Sequence, residues 1–497
     1  MKRKNEKGSA MVFALILVLV LSVMAASLMF LARSETWSSM NYRMMTQARY
    51  GAEAGVNAAS NFLISPNYVP PTAPAGGAFA GFNTSVYPVK DLAGKNIYLS
   101  TLDGQPANYP NAAMQTAFAA AFAAPNGSLQ AGNTTVNYTA SAQLMSMVSI
   151  MPFGTTTPMT IQTWQITAHG DIASVRNAEA EVATTLERYI SPAFSYAAFA
   201  DNNGCGSLAF NGNGVTNSYD SASLTPNGGT IDPGSYGSNI PFNNFGGDVG
   251  TNGNDNLSGN NATINGTLSV PNPTFGVCTA GNVTGLSGGD LSQIKGGMVQ
   301  LPSAVSFLTP TINAPPAGST DVTKTATLGP GSATCLSSPC SYGNINLAGS
   351  NSVTLTPGVY NINSISTTGN AQINIAPDPV TGQYGPVILN VAGNNNTTPI
   401  DIEGNAIDNP TYDPSMFQMV YAGTGTIKIA GNGASAAVVY APNATVDFKG
   451  NGQFFGAVIA SQIADVGNGS IHYDMKLKKR MFTVGNYVLQ SFTWNKY

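Results

Sequence analysis

Six carboxylates between positions 401 and 465, Asp401, Glu403, Asp408, Asp413, Asp447 and Asp465, have the type and clustering that could do chemistry. Paired carboxylates divide the acid and base work of glycoside cleavage, so polysaccharide turnover is the reaction they would serve. They also occupy outward positions beside apolar ones, as the solvated face of a strand requires, and no catalytic residue is assigned among them. Histidine adds little, because His169 and His472 are the only two in the chain, too few for a His-based zinc site or an easily assembled proton relay. His169 follows the strand-like run around Trp164 and precedes Gly170, the place of a strand-end polar residue. Of the four cysteines, Cys335 and Cys340 enclose LSSP, short enough for a loop staple, while Cys205 and Cys278 form a second candidate pair. All three pairings stay open, and any of them would need an oxidising compartment. The run GNDNLSG from Gly253 partly matches a Gly/Asp-rich calcium loop, but one degenerate copy lacks the neighbour that completes an oxygen cage. Neither a metal nor a cofactor is expected.

The elements that must carry these residues have an unusual composition. The chain has 497 residues with 54 Gly and 30 Pro, and only 9% are charged, against about 25% in ordinary soluble domains. Its formal charge of -4 argues against a nucleic-acid partner, which would call for a concentrated basic surface. Length allows about three domains.

The basic residues open the chain. MKRKNEKG carries Lys2, Arg3, Lys4 and Lys7 against Glu6, and Ser9 to Ala32 then has no charge. About 20 apolar residues suffice for a helix to cross a bilayer. A secretory signal peptide would have a shorter apolar core of about 7–15 residues and a small-residue cleavage site. Here no proline interrupts the sequence until Pro66, and Met40, Met44, Ala48, Gly51, Gly55, Ala58 and Phe62 recur at steps of three or four, a stripe along one helix face. The spacing predicts one helix from Ser9 to Leu63, about 80 Å long at about 1.5 Å per residue, with a lipid-suited first half and a protein-suited second half.

The basic leader ending in Gly8, the apolar helix from Ser9 and the segment QARYGAEAG at 47–55 resemble type IV pilin-like proteins, more narrowly PilX minor pilins and K-type pseudopilins of type II secretion. The resemblance implies cleavage after Gly8 by a prepilin peptidase, N-methylation of Ser9, and assembly with other pilins. It departs at the fifth mature position, where most pilins have Glu and this chain has Phe13. In the family that carboxylate is thought to neutralise the terminal amine of a neighbouring subunit, because an unpaired charge in lipid is costly. A subunit with Phe13 suits a filament tip, where no earlier subunit sits above it.

Residues 64–130 are rich in Pro, Ala and Gly with one short helix near 112–123, and read as insertion and loop more than core. The runs from Thr134, Thr160 and Ala178 alternate apolar and polar residues as antiparallel strands do. Beyond Phe194 an apolar-x-apolar-x-Gly-Asn hexamer recurs from Leu208, Leu389, Ile400, Ile427 and Val446, with a Ser variant from Ile345. Alternation sends both apolar side chains to one face, and Gly-Asn suits a corner. Residues 419–433 also align with 438–452 at an offset of 19, and the series continues from Ala457 with two residues lost. Such coils bury their apolar faces only by stacking.

The fold expected is therefore mostly β with an α+β start. It comprises a leader (1–8), a long helix (9–63, with 9–32 crossing the membrane), a small antiparallel β module (64–193), a parallel β-solenoid of right-handed β-helix type (194–474), and a C-terminal cap or strand (475–497) holding the basic run KLKKR. A β-sandwich is the competing architecture. The function expected is a non-enzymatic minor pilin or pseudopilin. It would lie in the inner membrane before assembly and at the pilus or cell surface afterwards, presenting the solenoid to a glycan or host surface. A membrane-anchored carbohydrate-active β-helix enzyme and an envelope scaffold that never enters a filament are the alternatives.

Overall fold

The computed structural model describes residues 9–74, 76–123, 126–131, 134–155, 157–172, 178–224, 240–403, 407–431 and 433–496, so the expected leader and Gly8 lie outside the described residues. The chain divides into two compact units.

The first unit begins with helix α1, Ser9–Ile64. It continues through the run without proline and ends where Pro66 disfavours helical backbone at Ser65. A sheet follows, built from β1 (Tyr98–Ser100), β2 (Ser128–Ala131), β3 (Thr134–Ile150), β4 (Met159–Ile172) and β5 (Ala178–Pro192). The β1–β3, β2–β3 and β4–β5 ladders are antiparallel. The C-terminal strand, Phe482–Lys496, completes the sheet beside β5.

Residues 64–123 contribute far more than a loop. Tyr68, Phe79, Phe82, Tyr109, Phe118 and Phe122 are buried and join Trp164 of β4 and Phe62 of α1 in one aromatic core. The short helix α2, Ala112–Phe122, is capped by Asn111, whose side chain accepts from the backbone N–H of Ala113 and Met114. These aromatics have no regular spacing, so periodicity could not mark them as core. His169 also differs from its expected place: it lies inside β4, facing Glu181 of β5, because Gly170 continues the strand instead of ending it.

In the second unit, three short strands form one recurring group. Asn344–Gly349, Ser352–Leu355 and Gly358–Ile362 are followed by Ser364–Gly369, Gln372–Ile375 and Val387–Val391. Each strand pairs in parallel with its counterpart in the next group. The hexamers fall on two of these strand positions, Ile345, Ile400 and Ile427 in one ladder and Leu389 in another, and Ile345, Leu347, Leu389, Val391, Ile427 and Ile429 are all buried in one core. Gly349, Gly369, Gly393 and Gly450 have positive φ, the corner role that glycine fills without a Cβ penalty. Two hexamer corners, Gly404-Asn405 and Asn432, lie outside the described residues. The offset of 19 holds from Thr426↔Thr445 to Gly431↔Gly450, whereas Met419 pairs with Val439, one residue further than the repeat predicts. The loss of two residues after Ala457 appears as a register shift between Ala441 and Thr445.

The order of the groups is not the order of the chain. Ser470–Asp474, the last strand of this unit, pairs in parallel with Val215–Tyr219. Val458–Ala460 likewise pairs with Ala198–Ala200 near the unit's beginning. Among the described residues, the parallel pairings therefore run through 340–474 and continue into strands of 198–300. Residues 301–325 return along it: Val305 N–H donates to Asn252 (2.7 Å), Tyr440 OH donates to Leu308 O (2.7 Å), and Asn443 donates to Thr309 Oγ1 (3.1 Å).

Candidate functional site

Among the described residues, none covers the first half of α1. Met11, Phe13, Leu17, Val20, Met24 and Phe30 are all exposed, and its most apolar window has a mean hydropathy of 2.8 with none of it buried. Apolar surface on that scale is stable only when lipid or other helices cover it. Ser22, Ser27 and Thr36 return their hydroxyls to carbonyls three or four residues earlier, at 2.9, 2.9 and 2.7 Å, so they leave few unsatisfied donors for an apolar environment. Phe13 lies on this bare stretch, 74% exposed.

The second half docks through small residues. Ala48, Gly51, Ala52, Gly55 and Ala59 are buried. A Cβ on Gly51 would come within 2.5 Å of Val136 Cγ1, and one on Gly55 within 2.9 Å of Ala168 Cβ. The reciprocal position is Gly170 of β4, where a Cβ would lie 2.1 Å from Ala48 O and 2.4 Å from Ala52 N. Helix and strand backbones thus approach closely at the GAEAG segment, and Glu53 of that segment pairs with Arg49 at 2.9 Å. Most of the expected stripe lies on the docked face: Ala48, Gly51, Gly55 and Phe62 are buried, and Met44 and Ala58 pack against the core. Met40 is exposed, while Val56 and Leu63 are buried, because the contact begins near Met44 and follows Ala48, Ala52, Val56 and Ala59.

The acidic candidates do not converge on a reacting centre. Asp401, Lys428 and Asp447 occupy successive positions across neighbouring strands, so a cation lies between the carboxylates, with Lys428 Nζ 3.8 Å from Asp401. Lys449 is 3.8 Å from Asp447. Glu403 is exposed. Asp413 caps the turn Pro414–Met416, accepting from Ser415 N–H at 3.0 Å, and pairs with Lys476. Asp408 is half-buried on its strand, and the Asp465 side chain lies outside the described residues. Two lysines of the basic run are engaged, Lys476 with Asp413 and Lys478 with Asp248 at 3.4 Å.

The titratable groups that are perturbed are interior ones. His472 stacks on Phe242 at 4.3 Å and lies 4.7 Å from Phe455; burial lowers its pKa to about 3. It is therefore a neutral ring, and its Nδ1 donates to Asn217 Oδ1 at 2.6 Å. Asp474 is pushed up to about 7 by burial and by the nearby Asp413 carboxylate. Within the calcium-like run, Asn254 donates its amide to Thr284 O at 2.9 Å. Asp255 faces inward in register with Leu208 and Leu286. Its carboxyl is fully buried with no hydrogen-bond partner among the described residues, and burial holds its pKa well above the usual range. No group of three or more His, Cys, Asp or Glu side chains among the described residues could hold a metal. The cysteines are bonded as Cys205–Cys278 and Cys335–Cys340.

Sequence reasoning did not anticipate the asparagine ladder. Asn261 donates to Asn213, Asn213 to Asn468, and Asn468 to Asn451, at 3.0, 2.7 and 3.0 Å. The Gly-Asn corners at 213, 451 and 468 were its signal: they stack, and the ladder crosses the junction between the chain's last and first strands in this unit.

Residues 7–57 match the PilX N-terminal family, and residues 340–480 match a domain of unknown function, DUF7305. No curated protein matches the chain. Among solved structures, the competence-associated pilin ComZ from Thermus thermophilus aligns over 91% of this chain and 98% of its own, at 14% identity and a TM-score of 0.29, too loose an overlay to argue from. The resemblance expected from the sequence is therefore matched over residues 7–57, where the chain is similar to the PilX N-terminal family.

Proposed function

We propose that this chain is a non-enzymatic minor pilin or pseudopilin, inserted in the inner membrane through α1 and then assembled by the same helix with other pilins. The observation that carries this reading is the division of α1: an unbroken helix whose first half is bare and apolar and whose second half is locked against its own sheet. A signal peptide needs no such continuation, and a scaffold that stays in the envelope needs no family-type docking segment. Processing would fall between Gly8 and Ser9, with prepilin peptidase as the partner. Phe13 supports a place at the tip, since a subunit without the fifth-position carboxylate leaves a preceding neighbour's amine unpaired in lipid, at a cost of about 2.5–3.5 kcal/mol on insertion scales.

The three-strand groups, their parallel ladders and the continuous apolar column support a right-handed β-solenoid as the presented module, with adhesion to a glycan or host surface as its role. The interleaved Lys428 weighs against a carbohydrate-active enzyme built on Asp401 and Asp447. Gold-labelled antibody against the second unit, applied to sheared filaments, tests assembly and position together. Label at filament ends is the expected result. Label spaced evenly along shafts would overturn the tip placement, and absence from filaments would overturn the pilin role.

A further inference from the structure

The face of the first unit's sheet that turns away from α1 carries a groove of about 860 Å³, within the size range of small-ligand sites. Its floor is made by outward side chains of β3, β4 and β5, among them Gln143, Gln165, Thr167 and His169. The segment 95–108 overhangs it, contributing Tyr98 and Gln105. Gln143 and Tyr98 face each other across the β1–β3 ladder, so floor and overhang are tied by backbone pairing.

Gln143, Thr167 and Tyr98 are half-buried in the groove, and Gln165 is exposed on its floor. Among the described residues, nothing forms a hydrogen bond with the side chains of Gln143, Gln165 or Thr167, nor with the Tyr98 hydroxyl. The second unit treats its amides differently. Its corner asparagines bond to one another in the ladder 261–213–468–451, and Asn390 bonds to Asn361 at 3.1 Å. An amide ladder satisfied by itself has little left for a ligand, whereas unpaired amides on a rigid sheet are preorganised donors and acceptors.

The lining selects the ligand's chemistry. Its charged lining residues are of both signs, Lys95 with Asp103 and Glu181, and His169 Nε2 lies 2.7 Å from Glu181, so the groove presents no single-sign field for an ion. β3 and β4 are inner strands, paired on both sides, so a peptide backbone finds no free edge there to extend the sheet. What remains are carboxamides that donate and accept at once, a hydroxyl, and an aromatic ring, the set that matches adjacent sugar hydroxyls and a sugar's C–H face. We propose that this groove binds a neutral oligosaccharide. The site lies wholly within the first unit and does not depend on filament assembly or on the second unit's role.

The test uses the full chain in detergent with maltohexaose, cellohexaose and chitohexaose as probes, read by saturation-transfer NMR and calorimetry. At least one sugar should show transfer, and Gln143→Ala with Gln165→Ala should weaken it at least tenfold, about 1.4 kcal/mol, with thermal stability unchanged. Asn390→Ala in the second unit serves as control and should leave binding intact. Failure of all three sugars to bind, loss of binding in the control alone, or binding only of an anionic polysaccharide such as polygalacturonate would each overturn the assignment. None of these results bears on whether α1 enters a filament.

Discussion

Replacing Gly170 by alanine adds one methyl group at the place where α1 and β4 come closest. The position has no left-handed backbone requirement, so the effect isolates the contact. The new Cβ would lie 2.1 Å from Ala48 O, 2.4 Å from Ala52 N and 2.8 Å from Gly51 C. A carbon and a carbonyl oxygen normally stay at least about 3.3 Å apart, so the helix must move by about 1 Å. A gap of about 0.5–1 Å forfeits a quarter to a half of the dispersion energy of each facing pair. All three clashing atoms are backbone, and no rotamer change relieves them. Overpacking costs about 1–3 kcal/mol, and Gly170→Ala should reach the upper end, about 3 kcal/mol. For a unit of this size that lowers Tm by roughly 6–12 °C. Thermal unfolding of the full chain in detergent, followed by fluorescence of the buried Trp164, reads the change. Gly281→Ala, with open space around its Cβ, should be silent. An unchanged Tm for Gly170→Ala would refute the close docking of α1 on β4.

Three further outcomes follow from the second unit. Asp255→Leu should raise stability at pH 7 by about 1–3 kcal/mol, the cost of an unpartnered buried polar group. Because burial raises this carboxyl's pKa in the folded protein, that advantage shrinks as pH falls towards 3.8, the carboxyl's unperturbed pKa, which denaturant titrations at pH 7 and pH 4 would show. His472 behaves in the opposite sense. Its pKa is lowered from 6.5 to about 3, so the wild type loses stability as pH falls through that window, and His472→Phe should gain on it by about 5 kcal/mol between pH 7 and pH 3. Opening the Cys205–Cys278 loop of 73 residues should cost about 4 kcal/mol by chain entropy, and opening Cys335–Cys340 only about 2 kcal/mol. Serine pairs measured under non-reducing conditions give the comparison.

How much could be read in advance depends on how local the physics is. The extent of α1 was legible because an unbroken apolar run and the first proline, Pro66, act within a few residues. The parallel strands were legible where the hexamer repeats, since Ile427 and Ile429 or Val446 and Phe448 each declare their own inward face. Pairing between Ser470–Asp474 and Val215–Tyr219 leaves no local trace, because partners far apart in the chain share no period. The same holds for Phe482–Lys496, whose place beside β5 depends on the whole intervening unit returning to its start. Gly170 looked like a strand end because glycine marks turns and close approaches alike, and only the partner, Gly51 and Ala52 of α1, tells them apart. In the candidate site, the bare helix half was visible in composition. The groove around Gln143 and Gln165 was not, since outward polar residues look the same whether or not a segment overhangs them.

Assembly through α1 requires that the helix be retained after maturation with its apolar half intact. Sequencing and intact mass of the chain recovered from its native envelope test this directly. The expected mature chain begins at N-methylated Ser9 and keeps the segment through Ile64. A chain still beginning at Met1, or one cut beyond Ala32, would contradict it.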